Sequence, residues 1–183
     1  KSTTLAAIIN KINAEQAVHI VTIEDPIEYM HTHKKGTVNQ REIGPDCPTF
    51  AMALRAALRQ APKVILVGEM RDLETIETAL EAAETGHLVL STLHTIDASK
   101  TIDRIVGVFP KNEEASIRTR FSQSFKWVIS QRLIPKVGGG RIALLEILKS
   151  TMRTREYVQE GEGQGKSLLD AMNDGQLDGM QTF

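Results

Sequence analysis

The chain has 183 residues and a mass of 20.2 kDa, which suits one domain with a small appendage. At 41% hydrophobic and 25% charged it has a globular composition, which argues against disorder, collagen-like repeats and a disulfide scaffold. Its 22 Lys+Arg and 23 Asp+Glu leave a formal charge of -1, so no global basic field marks a nucleic-acid partner.

The single cysteine, Cys47, cannot form an intrachain disulfide, and with no signal peptide this favours a reducing, cytosolic setting. No apolar run approaches the ~20 residues of a membrane-spanning helix. The start at Lys1 rather than Met, and the abrupt end at Phe183, read as a chain cut at both ends.

The first predicted element is a helix over 2–13, with Leu5, Ile8, Ile9 and Ile12 at spacings of three and four. Residues 18–24 (VHIVTIE) form a β-rich run that stops at Asp25-Pro26, where proline cannot donate to a ladder. The polar stretch 29–47 reads as a loop, with a short hairpin around Thr37–Ile43. Pro48 is expected to open the next helix, whose Phe50, Leu54 and Leu58 recur every four residues. Arg55 and Arg59 share a neighbouring face of it, salt-bridged or at a subunit interface.

Residues 63–68 (KVILVG) read as a second buried strand. Asp72 then caps a helix with Leu73, Ile76 and Leu80 inward and Glu74, Glu77, Glu81 and Glu84 solvated. Residues 87–92 (HLVLST) form a third strand, followed by a helix near 97–108. A longer helix is predicted over 112–132, its stripe carrying Ile117, Phe121, Phe125 and Val128, with Trp127 as packing. Gly138-Gly139-Gly140 lies between two apolar runs in 133–149, a hairpin pattern. The tail, 151–183, is polar and mostly helical, with breaks at Gly161–Gly165 and Gly175. Strands that alternate with helices, each strand a continuous apolar run, predict an α/β fold with a mostly parallel sheet flanked by helices.

In such sheets ligands bind beyond the carboxyl ends of the strands. The first strand ends in Glu24-Asp25, the second in Gly68-Glu69-Met70-Arg71-Asp72, and the third in Thr92-Leu93-His94-Thr95. Carboxylates, a hydroxyl and an imidazole thus meet at one edge. The opening residues, Lys1-Ser2-Thr3-Thr4, run into an apolar helix and fit the end of a phosphate loop, G-x-x-x-x-G-K-[ST]. Taken alone, that dipeptide is an ordinary solvated helix start. His31 and His33 read as polar-loop residues rather than metal ligands, because no cysteine or third histidine is near.

With these strand ends in view, the sequence resembles the hexameric ATPases of type IV pili and type II secretion, and among them the pilus retraction motors. The matching stretches are KSTTLAAIIN, IVTIEDPIEYMH, VNQREIG, FAMALRAALRQAP, VILVGEMRDLETIETALEAAETGHLVLSTLHT, KTIDRIVGVFP, VGGGRIALLEIL and DGMQTF. The resemblance implies a RecA-like P-loop NTPase domain over 1–149, lacking its first strand and most of its phosphate loop, and an incomplete C-terminal helical segment over 151–183. It implies ATP and Mg²⁺ as ligands. Lys1, Ser2, Thr3 and Thr92 would contact the nucleotide, and Ser2 and Glu24 would hold the metal. Glu69 would activate water with Glu24 and His94 as further catalytic groups, while Asp25 and Glu28 complete the acidic box. The common Asp before the catalytic Glu is replaced by Gly68.

The same resemblance implies a homo-hexamer in the cytoplasm, peripheral to the inner membrane, working with a pilus platform protein there and not with nucleic acid. A retraction signature, A-I-R-N-L-I-R-E, is matched only at Arg155 and Glu160. Many assembly and secretion members carry a four-cysteine zinc element, and this chain has Cys47 alone, which favours retraction. A pilus-assembly or secretion ATPase, and a non-catalytic nucleotide-binding regulator, remain the alternatives. With that strand and loop absent, the isolated chain is expected to bind ATP poorly.

Overall fold

The computed structural model describes residues 1–163, 165 and 167–183. The described residues form two compact units, Lys1–Leu93 and His94–Phe183.

The first unit is a layered α/β structure. Helix α1 (Ser2–Glu15) leads into strand β1 (His19–Glu24), then β2 (Thr37–Glu42), α2 (Phe50–Leu58), β3 (Val64–Val67), α3 (Leu73–Glu84) and β4 (Leu88–Ser91). The four strands make one sheet in the order β2-β1-β3-β4, and every pairing is parallel. The α/β fold with a parallel, helix-flanked sheet is therefore as expected. Side chains alternate between the two faces. Val21, Ile23, Ile65 and Val67 pack against Ala53, Leu54 and Ala57 of α2 and Ala79 and Ala82 of α3. Ile20, Val38, Val64 and Leu66 pack with Ile9, Leu5 and Ile12 of α1 on the other side. Burial on both faces is why these strands read as unbroken apolar runs.

Along the α1 face the register turns from apolar to polar. Ile20 pairs with Val38, Thr22 with Gln40, and Glu24 with Glu42. The core thus thins out toward the carboxyl ends of the strands and hands over to chemistry-bearing groups.

The second unit begins with α4 (Ala98–Val106) and α5 (Glu114–Ser124). A long hairpin follows, β5 (Trp127–Pro135) and β6 (Arg141–Lys149), then α6 (Met152–Glu160), α7 (Leu168–Asp174) and a 3-10 turn at Gln176–Asp178. The hairpin is antiparallel throughout, and Gly138, Gly139 and Gly140 take the positive φ that its tip demands. Gln181 returns to pair with Ile147 beside β6. Of the expected break at Gly161–Gly165, Gln164 lies outside the described residues.

Four expectations are corrected. The stretch Thr37–Ile43 is not a hairpin: Thr37–Glu42 pairs parallel to β1, reached by a connection long enough to cross back without a helix. Pro48 does not occupy the first helical position; Thr49 is the cap, its hydroxyl accepting from Met52 N at 3.2 Å. Leu73 is exposed, since it starts the first turn of α3, and Ile76, Ala79 and Leu80 form the buried stripe instead. The helix predicted over 112–132 ends at Ser124, and Trp127–Pro135 is a strand. The four-residue spacing is real up to Phe125, whose ring stacks on Phe121 at 5.2 Å. Beyond it, nine residues of β6 supply ladder partners that no local pattern announces. Trp127 is accordingly half exposed on the hairpin, with the Lys149 ammonium 5.4 Å from its ring centroid.

Candidate active site

The candidate residues of the first unit gather at the carboxyl edge of its sheet and at the start of α1. Lys1 is the N-cap residue of α1, and Ser2 and Thr3 form its first turn. The first N–H groups of any helix lack partners within it. In α2, α3, α4, α6 and α7 a Thr, Asp or Ser side chain caps them. In α1 no side chain does, and α5 likewise lacks a side-chain cap. Such an end, with its dipole and outward N–H groups, suits an anion. The Lys1 ammonium donates to the Leu93 carbonyl just past β4, and partial burial pushes its pKa below the ordinary lysine value. The Thr3 hydroxyl lies 3.0 Å from the Tyr29 hydroxyl.

Glu24 closes β1. Its Oε1 accepts from the Thr22 hydroxyl at 2.6 Å and from the Gln40 amide at 3.1 Å. Beside it, Gly68 follows the last residue of β3, and its N–H donates to the Ile23 carbonyl at 2.7 Å. A Cβ at Gly68 would come 3.2 Å from that oxygen and 3.4 Å from the Glu24 Cα. A residue with a side chain is crowded there, which gives a physical reason for glycine where an Asp is common. Glu69 follows directly, with its Oε2 2.7 Å from the Arg71 guanidinium. The Glu69 side chain is only 15% exposed and that of Arg71 is 71% exposed. The Thr92 hydroxyl donates to the Gly68 carbonyl at 2.7 Å, and the Thr92 carbonyl accepts from Met70 N at 3.1 Å. Thr92 thereby locks the ends of β3 and β4 together around Glu69.

Six candidates, Lys1, Ser2, Thr3, Glu24, Glu69 and Thr92, thus belong to one unit and to one edge of it. His94 opens the second unit and is exposed. Asp25 and Glu28 are exposed too, in the segment after β1. Among the described residues no group of three or more His, Cys, Asp or Glu forms a metal cage. A Mg²⁺ carried by a nucleotide needs only one or two protein oxygens besides phosphate, and Ser2 and Glu24 offer a hydroxyl and a carboxylate of that kind.

Other charged groups have structural partners. Arg55 pairs with Glu74 at 2.9 Å. Arg132 donates to the Ile96 carbonyl at 3.1 Å and lies over the Phe183 ring at 3.9 Å. His33 accepts from Val38 N at 3.1 Å, within the connection between β1 and β2. Two polar residues that support the site were not singled out from the sequence. Asn13 is fully buried and holds the Thr32–Gly36 backbone through both its side chain and its carbonyl. Gln40 joins β2 to Glu24 and to the connecting segment. An asparagine among the apolar residues of α1, and the VNQREIG match, were the available signals.

A family model described as type II/IV secretion system protein matches residues 1–139. The chain belongs to the type II/IV secretion system protein family. Over its whole length it is 54% identical to the type IV pilus retraction ATPase PilT of Pseudomonas aeruginosa, of which it covers 53%. It is also 54% identical, again end to end, to a twitching motility protein of Neisseria gonorrhoeae, covering 49% of it. Among solved structures, one of the pilus retraction motor PilT with bound ADP superposes with a TM-score of 0.87 at 49% identity, spanning all of this chain and 55% of that one. The chain therefore spans about half the length of the relatives it matches. The RecA-like fold expected from the sequence is the fold of this secretion family.

Proposed function

We propose that the chain forms the core of an ATP-hydrolysing domain in a hexameric motor that retracts type IV pili. The observation that carries this reading is the convergence of Glu24, Glu69 and Thr92 on adjacent parallel strand ends, in the same unit as the uncapped start of α1. End-to-end identity to PilT points the same way.

In the proposed site the α1 N–H groups and the Lys1 ammonium bind phosphate oxygens. Ser2 and Glu24 would hold Mg²⁺, which would supply charge neutralisation on the phosphates. Glu69 accepts a hydrogen bond from the attacking water and orients it in line with the terminal phosphorus. Thr92 keeps Glu69 in place by clamping the Gly68 carbonyl. His94, which opens the second unit, is the further catalytic group of this reading. We assign residues 1–149 to the ATPase domain and 151–183 to a C-terminal segment. The motor works at the cytoplasmic face of the inner membrane against a pilus platform protein. No helix among the described residues is long and apolar enough to cross a membrane.

A second reading, a nucleotide-binding regulator without turnover, draws on the Arg71 guanidinium that already engages Glu69. One experiment decides between them: Mg²⁺-dependent ATP hydrolysis by the full-length protein beside its Glu69→Gln variant. The motor reading expects turnover in the parent, and a variant that binds ATP but turns over at least about a hundredfold more slowly. An inactive parent, or a fully active variant, moves the regulator to the front. Deletion in the host then separates retraction, which leaves excess pili, from assembly, which leaves none.

A further inference from the structure

We propose that Gln40 is the positioning residue for the Glu24 carboxylate, and that it locks this carboxylate to the segment touching the start of α1. The proposal rests on the reading of Glu24 as part of the nucleotide site.

Gln40 stands beside Thr22 in the β1–β2 register, two residues short of the Glu24–Glu42 pair. From there its amide has all its principal bonds met. The Nε2 group donates to Glu24 Oε1 at 3.1 Å and to the Tyr29 carbonyl at 2.9 Å. The Oε1 atom accepts from the His31 N–H at 2.7 Å. Turning the amide over would set its oxygen against a carboxylate and a carbonyl, and its NH₂ against an N–H donor. The partners therefore dictate the orientation.

Two consequences follow for Glu24. Its Oε1 is held from both sides, by Thr22 and Gln40, so the carboxylate has one defined rotamer at the strand end. Its Oε2 accepts no hydrogen bond among the described residues and is available to a ligand. The Tyr29 hydroxyl meets the Thr3 hydroxyl at 3.0 Å. One amide thus connects the acidic end of β1, the Tyr29–His31 segment and, through Tyr29, the first turn of α1. The rest of the connection does not depend on it. Asn13 separately holds Thr32, Lys34, Lys35 and Gly36, with the Lys35 and Gly36 N–H groups donating to its carbonyl at 3.0 Å each. Loss of Gln40 should therefore loosen residues 29–31 and leave 32–36 in place.

The test uses the full-length protein with Gln40→Met, which keeps the length of the side chain and loses its hydrogen bonds, and Gln40→Glu, which keeps the acceptor for His31 and places a second carboxylate against Glu24. Hydrogen exchange gives a readout independent of turnover. In Gln40→Met the His31 amide should exchange at least about tenfold faster, while the Lys35 and Gly36 amides stay as in the parent. For ATP hydrolysis, kcat should fall about tenfold in Gln40→Met and about a hundredfold in Gln40→Glu, with KM for ATP unchanged within about twofold. An unchanged His31 exchange rate overturns the geometry whatever the activity. Faster exchange with an unchanged kcat, in a parent that hydrolyses ATP, overturns the positioning role. A KM that rises in step with the fall in kcat, or a Met variant as impaired as the Glu variant, assigns Gln40 to packing and also overturns it. A parent that does not hydrolyse ATP, with His31 exchange faster as expected, removes the nucleotide reading and the positioning role together while the geometry stands.

Discussion

Two carboxylates show how differently the two units use an acid shielded from solvent. Glu69 follows β3 at the open edge of the parallel sheet, with one exposed guanidinium beside it and the clamp of Thr92 behind. Glu146 lies inside the second unit, 4% exposed, where one oxygen accepts from Ala98 N at 2.7 Å and from the Ser130 hydroxyl at 2.9 Å. The first stands, in the proposed site, where it would meet the attacking water. The second joins the start of α4 to the hairpin and has its hydrogen bonds spent on the fold. A parallel sheet collects function at its carboxyl edge because every strand ends there. A hairpin has no such shared edge.

The largest expected difference is in turnover. Glu69→Gln should lower kcat at least about a hundredfold with little change in thermal midpoint. Glu146→Leu should keep kcat within a few-fold but cost about 1–3 kcal/mol in denaturant unfolding, because the Ala98 N–H and the Ser130 hydroxyl both lose their buried acceptor. If the two variants behave alike in both assays, the contrast fails.

A second contrast concerns packing. Ile65 is fully buried at the centre of the parallel sheet, and Ile129 on the hairpin is 50% exposed. Truncating Ile65 to alanine should cost about 2–5 kcal/mol. The same change at Ile129 should cost less than about 1 kcal/mol. Urea unfolding followed by circular dichroism measures both, and a costly Ile129→Ala would reveal a partner on that face.

Helix starts offer a sharper version of the same idea. Asp72 caps α3 through Thr75 N at 2.9 Å, and Asp72→Ala should cost about 1 kcal/mol. Ser2 caps nothing, so Ser2→Ala should leave stability unchanged within about 0.5 kcal/mol and instead weaken Mg²⁺-dependent nucleotide binding. Calorimetry on the full-length pair separates the two effects.

The smallest expected effect is a pH dependence. Burial holds the His31 pKa below its ordinary value of 6.5, against the opposing pull of Glu24 and with a lesser push from Lys34. The folded protein therefore binds this proton less readily than the unfolded chain. Its contribution to stability is complete above pH 6.5 and declines as the pH falls below that value. His31→Gln should flatten that decline, shifting the midpoint difference by about 2 °C or less across the window. Identical pH profiles would place the proton uptake elsewhere.

Much of the first unit was legible because its cues are local. Apolar runs such as Val64–Val67, the cap at Asp72 and the proline after Asp25 each act within a few residues. The strand ends then pointed to Glu24, Glu69 and Thr92. The strand Thr37–Glu42 was not legible: only Val38 is buried in it, and its pairing with β1 is set by a partner more than a dozen residues away. The role of Gln40 was hidden with it, since that role depends on the register. In the second unit Ile117, Phe121 and Phe125 continue into Val128 at helical spacing by coincidence, and the distant β6 strand overrides it.

By itself, then, the sequence determined the α/β class, the family and which polar residues stand at three strand ends, because capping, periodicity and motif are short-range properties. Only the tertiary structure decided which strands pair, where α5 stops and how Glu24 is held. Each of those depends on backbone and amide hydrogen bonds to residues far along the chain, and their free energy appears only once the sheet and the hairpin have formed.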